Sequence, residues 1–368
     1  MKIPTNSRDD DRTTIKGRRR FLLQSAAVTA GSMLGTVPSL AKDAGQVVVR
    51  GLGGTYQDAM DAAVHKPFTQ ATGIQVIVQP TTSGQIRGMV EAKRVQIDVA
   101  DLSDYPLLSL EKIDALEPID YDGMKLTNPA DIRESVRGKH MVGNLYFATA
   151  LTYNKDVFRN GDHPKSWADF WDAKRFPGPR TLADQSSGAA ELEFALLADG
   201  VPMEKLYPLD INRAFASLSR IKQSVVKWWD TGAVSTQLLE RKEAVLGGIW
   251  NGRSQALIDK GAPLGIEWNQ AKRQVQCLAV LKGCKNLANA HKFIDFALQP
   301  KVQAELTRYI AYGPTNTKAF QYIKPNDLEK LPGAPGNYSI SFDQNSAWWA
   351  ANLDKVGERW QSWVLGGA

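Results

Sequence analysis

Cysteine is nearly absent: Cys277 and Cys284 are the only two in 368 residues, and the histidines number four, His65, His140, His163 and His291. Two thiols and four scattered imidazoles exclude a zinc or iron–sulfur site of ordinary ligand spacing, and they exclude a fold framed by disulfides. Low-complexity tracts and internal repeats are missing, and a composition 43% hydrophobic and 23% charged is that of an ordinary globular chain. The local signatures of nucleotide and hydrolase chemistry are missing too. Gly247-x-x-x-x-Gly252-Arg253-Ser254 departs from a phosphate-binding loop at the lysine that reaches the β- and γ-phosphates, and Trp250 lies inside it. Gly51-Leu52-Gly53-Gly54-Thr55-Tyr56 has Tyr56 where a dinucleotide fingerprint needs its third glycine. No G-x-S-x-G elbow or H-E-x-x-H helix occurs. The expectation is a protein without catalytic residues, metal or cofactor.

A long apolar run is also lacking, and this bears on the N-terminus. Arg18-Arg19-Arg20-Phe21-Leu22-Leu23 is a twin-arginine pattern, followed by a modest apolar stretch broken by Gln24, Ser25, Thr29 and Ser32. Ser39-Leu40-Ala41 then supplies the small residues that a signal peptidase needs. The stretch is too polar for a membrane anchor, so residues 1–41 are expected to be a Tat-type export signal. They carry seven Lys/Arg against three Asp, a net of +4 out of +6 for the whole chain, which leaves the mature part near +2. No nucleic-acid-binding surface is indicated. With no cysteine near residue 41 to carry a lipid, the mature protein is expected to be soluble in the periplasm and monomeric. An oxidising compartment permits a bridge between Cys277 and Cys284, but Cys277 lies mid-strand in 274–281 and is equally well plain core.

The mature chain alternates strands and helices, which implies a parallel α/β sheet. Residues 46–50, 74–78 and 98–102 are expected as strands and 57–72 and 85–93 as helices. Ligands in such sheets bind beyond the carboxyl ends of the strands. Thr55, Tyr56, Ser83, Ser103 and Tyr105 all fall there. Residues 145–153 form a long β-type run without Pro, Gly or charge, and Asn154 follows as a helix cap. Periodicity alone does not say whether this run is a core strand of one lobe or passes between two. Ser166 is expected to cap the next helix, and Asp184-Gln185-Ser186-Ser187-Gly188 is a polar loop between the 180–183 strand and a helix over 189–199. Later come a strand over 245–250, a helix over 254–260, strands over 263–268 and 274–281, a helix over 288–298 and a helical, aromatic tail over 348–364.

Several short stretches, in order, resemble the substrate-binding proteins of ABC importers, in the spermidine/putrescine-binding family. They are Thr69-x-x-Thr72-Gly73-Ile74-x-Val76, Ser166-Trp167-Ala168-Asp169-Phe170-Trp171, Ile249-Trp250-Asn251-Gly252, Phe293-Ile294-Asp295-Phe296-Ala297-Leu298-Gln299-Pro300 and Tyr312-Gly313-Pro314-Thr315-Asn316. The resemblance implies a periplasmic-binding-protein type II fold: two α/β lobes, a ligand cleft between them and crossing hinge strands. It implies no enzyme activity and two partners, a small solute and an inner-membrane permease. Lobe 1 is expected over 42–149 and 276–320, lobe 2 over 150–275 and 321–368, with crossings near 148–150, 274–276 and 319–322. Ser103, Tyr105, Trp250 and Tyr312 match family positions that meet the solute, and Asp184 and Ser187 would act from the second lobe. The family's polyamine proteins carry Trp-x-Asp where this chain reads Gln274-Val275-Gln276, which removes an aromatic face and a carboxylate. Asp104, Asp184 or Asp343 could supply a carboxylate instead. The implied function is capture of a small polar solute (polyamine, amine or amino-acid-like) by cleft closure. The alternatives are a Tat-exported enzyme, or a ferric-iron-binding protein of the same fold with Tyr309 and Tyr312 as phenolate ligands.

Overall fold

The computed structural model describes residues 45–188 and 190–366. The expected export signal lies outside them. β1 (Gln46–Gly51), α1 (Gly54–Met60), a π-helical turn (Asp61–His65), α2 (Lys66–Thr72), β2 (Gln75–Pro80), α3 (Ser83–Glu91), β3 (Val99–Ser103) and α4 (Asp104–Glu111) follow one another. Gly73 in the left-handed region stops α2, and Thr82 closes a capping box with Gln85 at the start of α3. After β4 (Leu116–Glu117) comes β5 (Val142–Asn154), thirteen residues long and buried along nearly all of its length.

The second half contains α5 (Trp167–Trp171), β6 (Arg180–Ala183), α6 (Leu192–Ala198), α7 (Ile211–Ile221), β7 (Val225–Trp229), α8 (Gly232–Glu240), β8 (Leu246–Trp250) and α9 (Asn251–Asp259). The eighteen-residue β9 (Leu264–Leu281) returns past β5. The chain ends through α10 (Leu287–Ala297), α11 (Pro300–Leu306), β10 (Gly313–Pro314), α12 (Pro325–Leu328), α13 (Pro335–Ser339), β11 (Phe342–Asp343) and α14 (Ser346–Val364).

The main sheet runs β2-β1-β3-β9-β5-β8-β6-β7. β1, β2 and β3 are mutually parallel, as are β6, β7 and β8, whereas β5 and β9 are antiparallel to each other and to the strands beside them. A central antiparallel ribbon therefore joins two parallel triplets. Alternation along β1 decides what each face buries. Val47 and Val49 enter one cluster with Phe68, Phe293 and Ile294; Val48 enters another with Ile86, Leu102, Leu107 and Cys277. Beyond the ribbon, Trp167, Phe170, Phe194, Phe215, Trp349 and Trp360 form a third cluster.

Local expectations fail at a few points. The strands expected over 263–268 and 274–281 are one strand. Leu151 pairs with Glu267 and Thr149 with Lys272, so residues 268–271 form a bulge with Gln270 at φ +60°, and this breaks the alternation. Asn154 caps no helix; its Oδ1 accepts from Asp156 N at 2.9 Å in a turn. Asp104 begins α4 directly, α9 starts at Asn251, and α6 starts only at Leu192. Residues 317–322 form a 3-10 helix whose Ala319 packs with Ala304 and Leu331, and the chain rejoins β9 at β11. Cys277, in β9, and Cys284, in the turn after it, are free thiols. No described helix is long and apolar enough to cross a membrane.

Candidate functional site

The strand ends of both triplets meet over the central ribbon around a small cavity of about 30 Å³. Ser103 and Tyr105 reach it from the β3–α4 junction, Phe147 and Thr149 from β5, Ser187, Gly188 and Glu191 from the loop before α6, Trp250 from the end of β8, and Lys272 and Gln274 from β9. A space this small admits a water molecule or two, so a solute needs the walls to part. Trp250 stands edge-on to Phe147 at 6.3 Å and to Trp229 at 5.0 Å, so its ring is fixed before any solute arrives. Gly188 has φ +138°, and a Cβ there would collide with Tyr105 Oη; only glycine lets this loop approach so closely.

The charged groups of the cavity were not singled out in the sequence. Lys272 Nζ donates to Glu191 Oε2 at 2.9 Å and to Glu193 Oε2 at 3.2 Å, and all three side chains are at most 2% exposed. Trp349 Nε1 and Tyr207 Oη each donate to Glu193 Oε1 at 2.6 Å. Burial pushes Glu191 up to about 7, against the pull of Lys272 and with a smaller push from Glu193. Burial presses Lys272 down, but the two carboxylates outweigh it and its pKa is raised. The signal was present: Glu193 interrupts an apolar helix that Glu191 immediately precedes, and Lys272 interrupts a buried strand. Charges in such places are rarely tolerated without a partner.

A second layer supports the wall. Thr149 Oγ1 donates to Gln274 Oε1 at 3.0 Å, and Gln274 Nε2 donates to Gln344 at 3.1 Å. Gln276 Nε2 and Tyr56 Oη both donate to the buried Asp101, each at 2.8 Å, while Ser103 Oγ reaches Gln276 at 3.4 Å. Burial raises Asp101, and these two donors oppose the shift. Arg253, in the first turn of α9, donates to Thr55 in the first turn of α1.

Of the ten expected residues, Ser103, Tyr105, Ser187 and Trp250 line the cavity. Tyr56, Gln276 and Tyr312 are buried behind it, with Tyr312 against Gly252 and Phe147. Thr55 holds Arg253, and Ser83 is exposed at the start of α3. Asp184 is consumed locally: Oδ1 accepts from Ser186, and Oδ2 accepts from Trp360 Nε1 at 3.1 Å. Of the other carboxylates, Asp104 accepts from Ser346 Oγ at 2.6 Å and Asp343 pairs with Arg273 at 2.8 Å; neither lines the cavity. Burial pushes the Tyr312 phenol up to about 12, which opposes a phenolate, and Tyr309 is 51% exposed. Among the described residues no three His, Cys, Asp or Glu side chains converge as a metal site.

A family profile of bacterial extracellular solute-binding proteins matches residues 63–336. The chain is 30% identical to the γ-aminobutyric acid-binding protein of Pseudomonas aeruginosa over 329 residues, covering 86% of this chain and 90% of that one. It is 26% identical to the spermidine/putrescine-binding periplasmic protein of Escherichia coli over 285 residues, 73% and 78% of the two chains. In three dimensions it is similar to the periplasmic binding protein AgtB of Agrobacterium tumefaciens R10, solved with agropinic acid. The TM-score is 0.78 at 36% identity, over 87% of this chain and 99% of the other. These relatives are binding proteins rather than enzymes. The strand-end cavity, the ribbon joining two parallel triplets and the matched profile agree: the chain belongs to the bacterial extracellular solute-binding proteins, the periplasmic type II components that capture small polar solutes for ABC importers.

Proposed function

We propose that this protein captures an amino-acid-like solute, with one ammonium and one carboxylate on a short chain, of which γ-aminobutyric acid is the type. The observation that carries this reading is the buried Lys272–Glu191 pair in the cavity wall, which offers both signs of charge in one place. A diamine would bring two cations against that lysine, and Gln274 and Gln276 provide amides where the polyamine proteins have an aromatic face and a carboxylate. The rings of Trp250, Phe147 and Tyr105 suit a methylene chain and the cation at its end, and the Ser103, Thr149 and Ser187 hydroxyls would turn to a carboxylate from Gln276, Gln274 and the Asp184 carbonyl. The specificity in the name of the Pseudomonas relative agrees with this reading.

In this reading Ser103, Tyr105, Ser187 and Trp250 touch the solute, while Tyr56, Gln276 and Tyr312 brace the wall. Lobe 1 comprises 42–149 and 276–320 and lobe 2 comprises 150–275 and 321–368, with one exception at the third passage. Residues 321–331, which pack on α11, are counted with lobe 1, so the third passage moves to 340–345. Residues 1–41 direct twin-arginine export and are cleaved near Ala41, and the mature monomer turns nothing over. A solute that touches both lobes favours the closed form, whereas one that touches a single lobe shifts nothing. Thermal unfolding with γ-aminobutyric acid, putrescine and spermidine tests the substrate class. At 100 times its Kd a bound solute adds about 2.7 kcal/mol. Stabilisation by the amino acid and not by the diamine is expected; a shift with putrescine alone overturns the reading.

A further inference from the structure

We propose that solute capture is coupled to the release of a proton from Glu191, a coupling that rests on the reading that the solute carries an ammonium group. One buried cation, Lys272, faces two buried carboxylates, Glu191 and Glu193. Glu193 receives three donors, from Lys272, Trp349 and Tyr207, and so serves as the carboxylate that matches the lysine. Glu191 keeps only a share of Lys272. Among the described residues nothing else on the cavity wall supplies positive charge: Tyr105 is a phenol held neutral by burial, and Ser103, Thr149, Ser187, Trp250 and Gln274 are uncharged.

An uncompensated carboxylate in a buried site is expensive, and protonation removes the expense. Burial holds the Glu191 carboxyl near 7, consistent with a proton on it in the empty cavity. An entering ammonium brings the missing positive charge. The carboxylic acid and the ammonium become a carboxylate–ammonium pair, and one proton leaves to solvent. No bond between heavy atoms changes. Affinity therefore falls as the medium acidifies, by about tenfold between pH 8 and pH 6 for a group titrating near 7.

Titration calorimetry with γ-aminobutyric acid, in two buffers of different protonation enthalpy, reads the proton directly. About half a proton per solute is expected at pH 7 and almost none at pH 8.5. Glu191→Gln, which keeps the shape and an acceptor for Lys272, should bind more weakly and lose the buffer dependence. Equal heats in both buffers overturn the proposal. So does a release that survives Glu191→Gln and disappears in Asp104→Asn. Carbon-13 NMR of glutamate carboxyls in the solute-free protein gives an answer independent of the solute. A carboxyl that titrates near neutrality and is lost in Glu191→Gln supports the coupling, and a Glu191 carboxyl already ionised at pH 5.5 overturns it. If γ-aminobutyric acid gives no heat in any buffer, the substrate reading fails while the carboxyl titration still decides the coupling.

Discussion

Arg253 and Thr55 lie 198 residues apart in sequence, on the two sides of the central ribbon, yet Arg253 Nη1 donates to Thr55 Oγ1. The guanidinium passes between Gly54 and Gly232, and a Cβ at Gly232 would sit 2.7 Å from Nε. This is a protein–protein contact across the cleft that does not require a solute. Arg253→Met is expected to weaken solute binding about tenfold, the scale of one hydrogen bond to a charged group. Thr55→Val should add little once Arg253 is gone, as calorimetry on the two single variants and the double variant would show.

Removing Lys272 strands the Glu193 carboxylate and takes a donor from Glu191. Lys272→Met should destabilise the protein by about 3–5 kcal/mol in urea unfolding, the scale for breaking a buried ion pair. Adding Glu193→Gln should recover part of that loss.

Gly188→Ala places a Cβ against Tyr105 Oη at a backbone angle that L-residues seldom adopt. The predicted result is solute affinity reduced by more than tenfold, with a smaller effect on the unfolding midpoint of the empty protein. Tyr105→Phe in the same background should restore part of the affinity by removing the obstructing oxygen.

Burial raises the Asp104 carboxyl to about 6 from its ordinary 3.8, against the pull of the Ser346 hydrogen bond. The folded protein then holds a proton that the unfolded chain has already lost between those values, so stability from this group declines as pH rises from about 4 to about 6. Relative to wild type, Asp104→Asn should gain stability over that interval and show no further change above pH 7. Urea midpoints of the two proteins across the range measure the difference.

Both thiols are free. Thiol titration of the denatured, unreduced protein should find two, and reductant should leave the unfolding midpoint unchanged.

The fold was legible because its signals are local and repeat along the chain. β1 is a short apolar run followed by a glycine turn, and Ser166 caps α5 as expected, accepting from Asp169 N at 3.1 Å. The bulge at 268–271 was not legible, since Gln270 adopts its positive φ to let Trp167 Nε1 reach its carbonyl at 2.9 Å, a tertiary demand. The cavity was half legible. Ser103, Tyr105, Ser187 and Trp250 sit where strand ends must face a cleft. Glu191, Glu193 and Lys272 come from a helix start and a strand 79 and 81 residues apart, and only folding shows that their charges meet.

The antiparallel ribbon of β5 and β9 gives any relative motion of the two halves a particular mechanics. A pair of strands bonded from Val142 to Asn154 would serve not as a loose joint but as a torsion bar. Its compliance would be concentrated at the two register shifts, Gly143/Leu145 and Thr149/Leu151, which lie on either side of Phe147. A solute resting on Phe147 and Thr149 therefore touches the bar between and at its weak points, so occupancy and twist are read by the same few residues. The restoring torque is set by backbone geometry rather than by the solute, so different solutes should produce the same rotation with different populations.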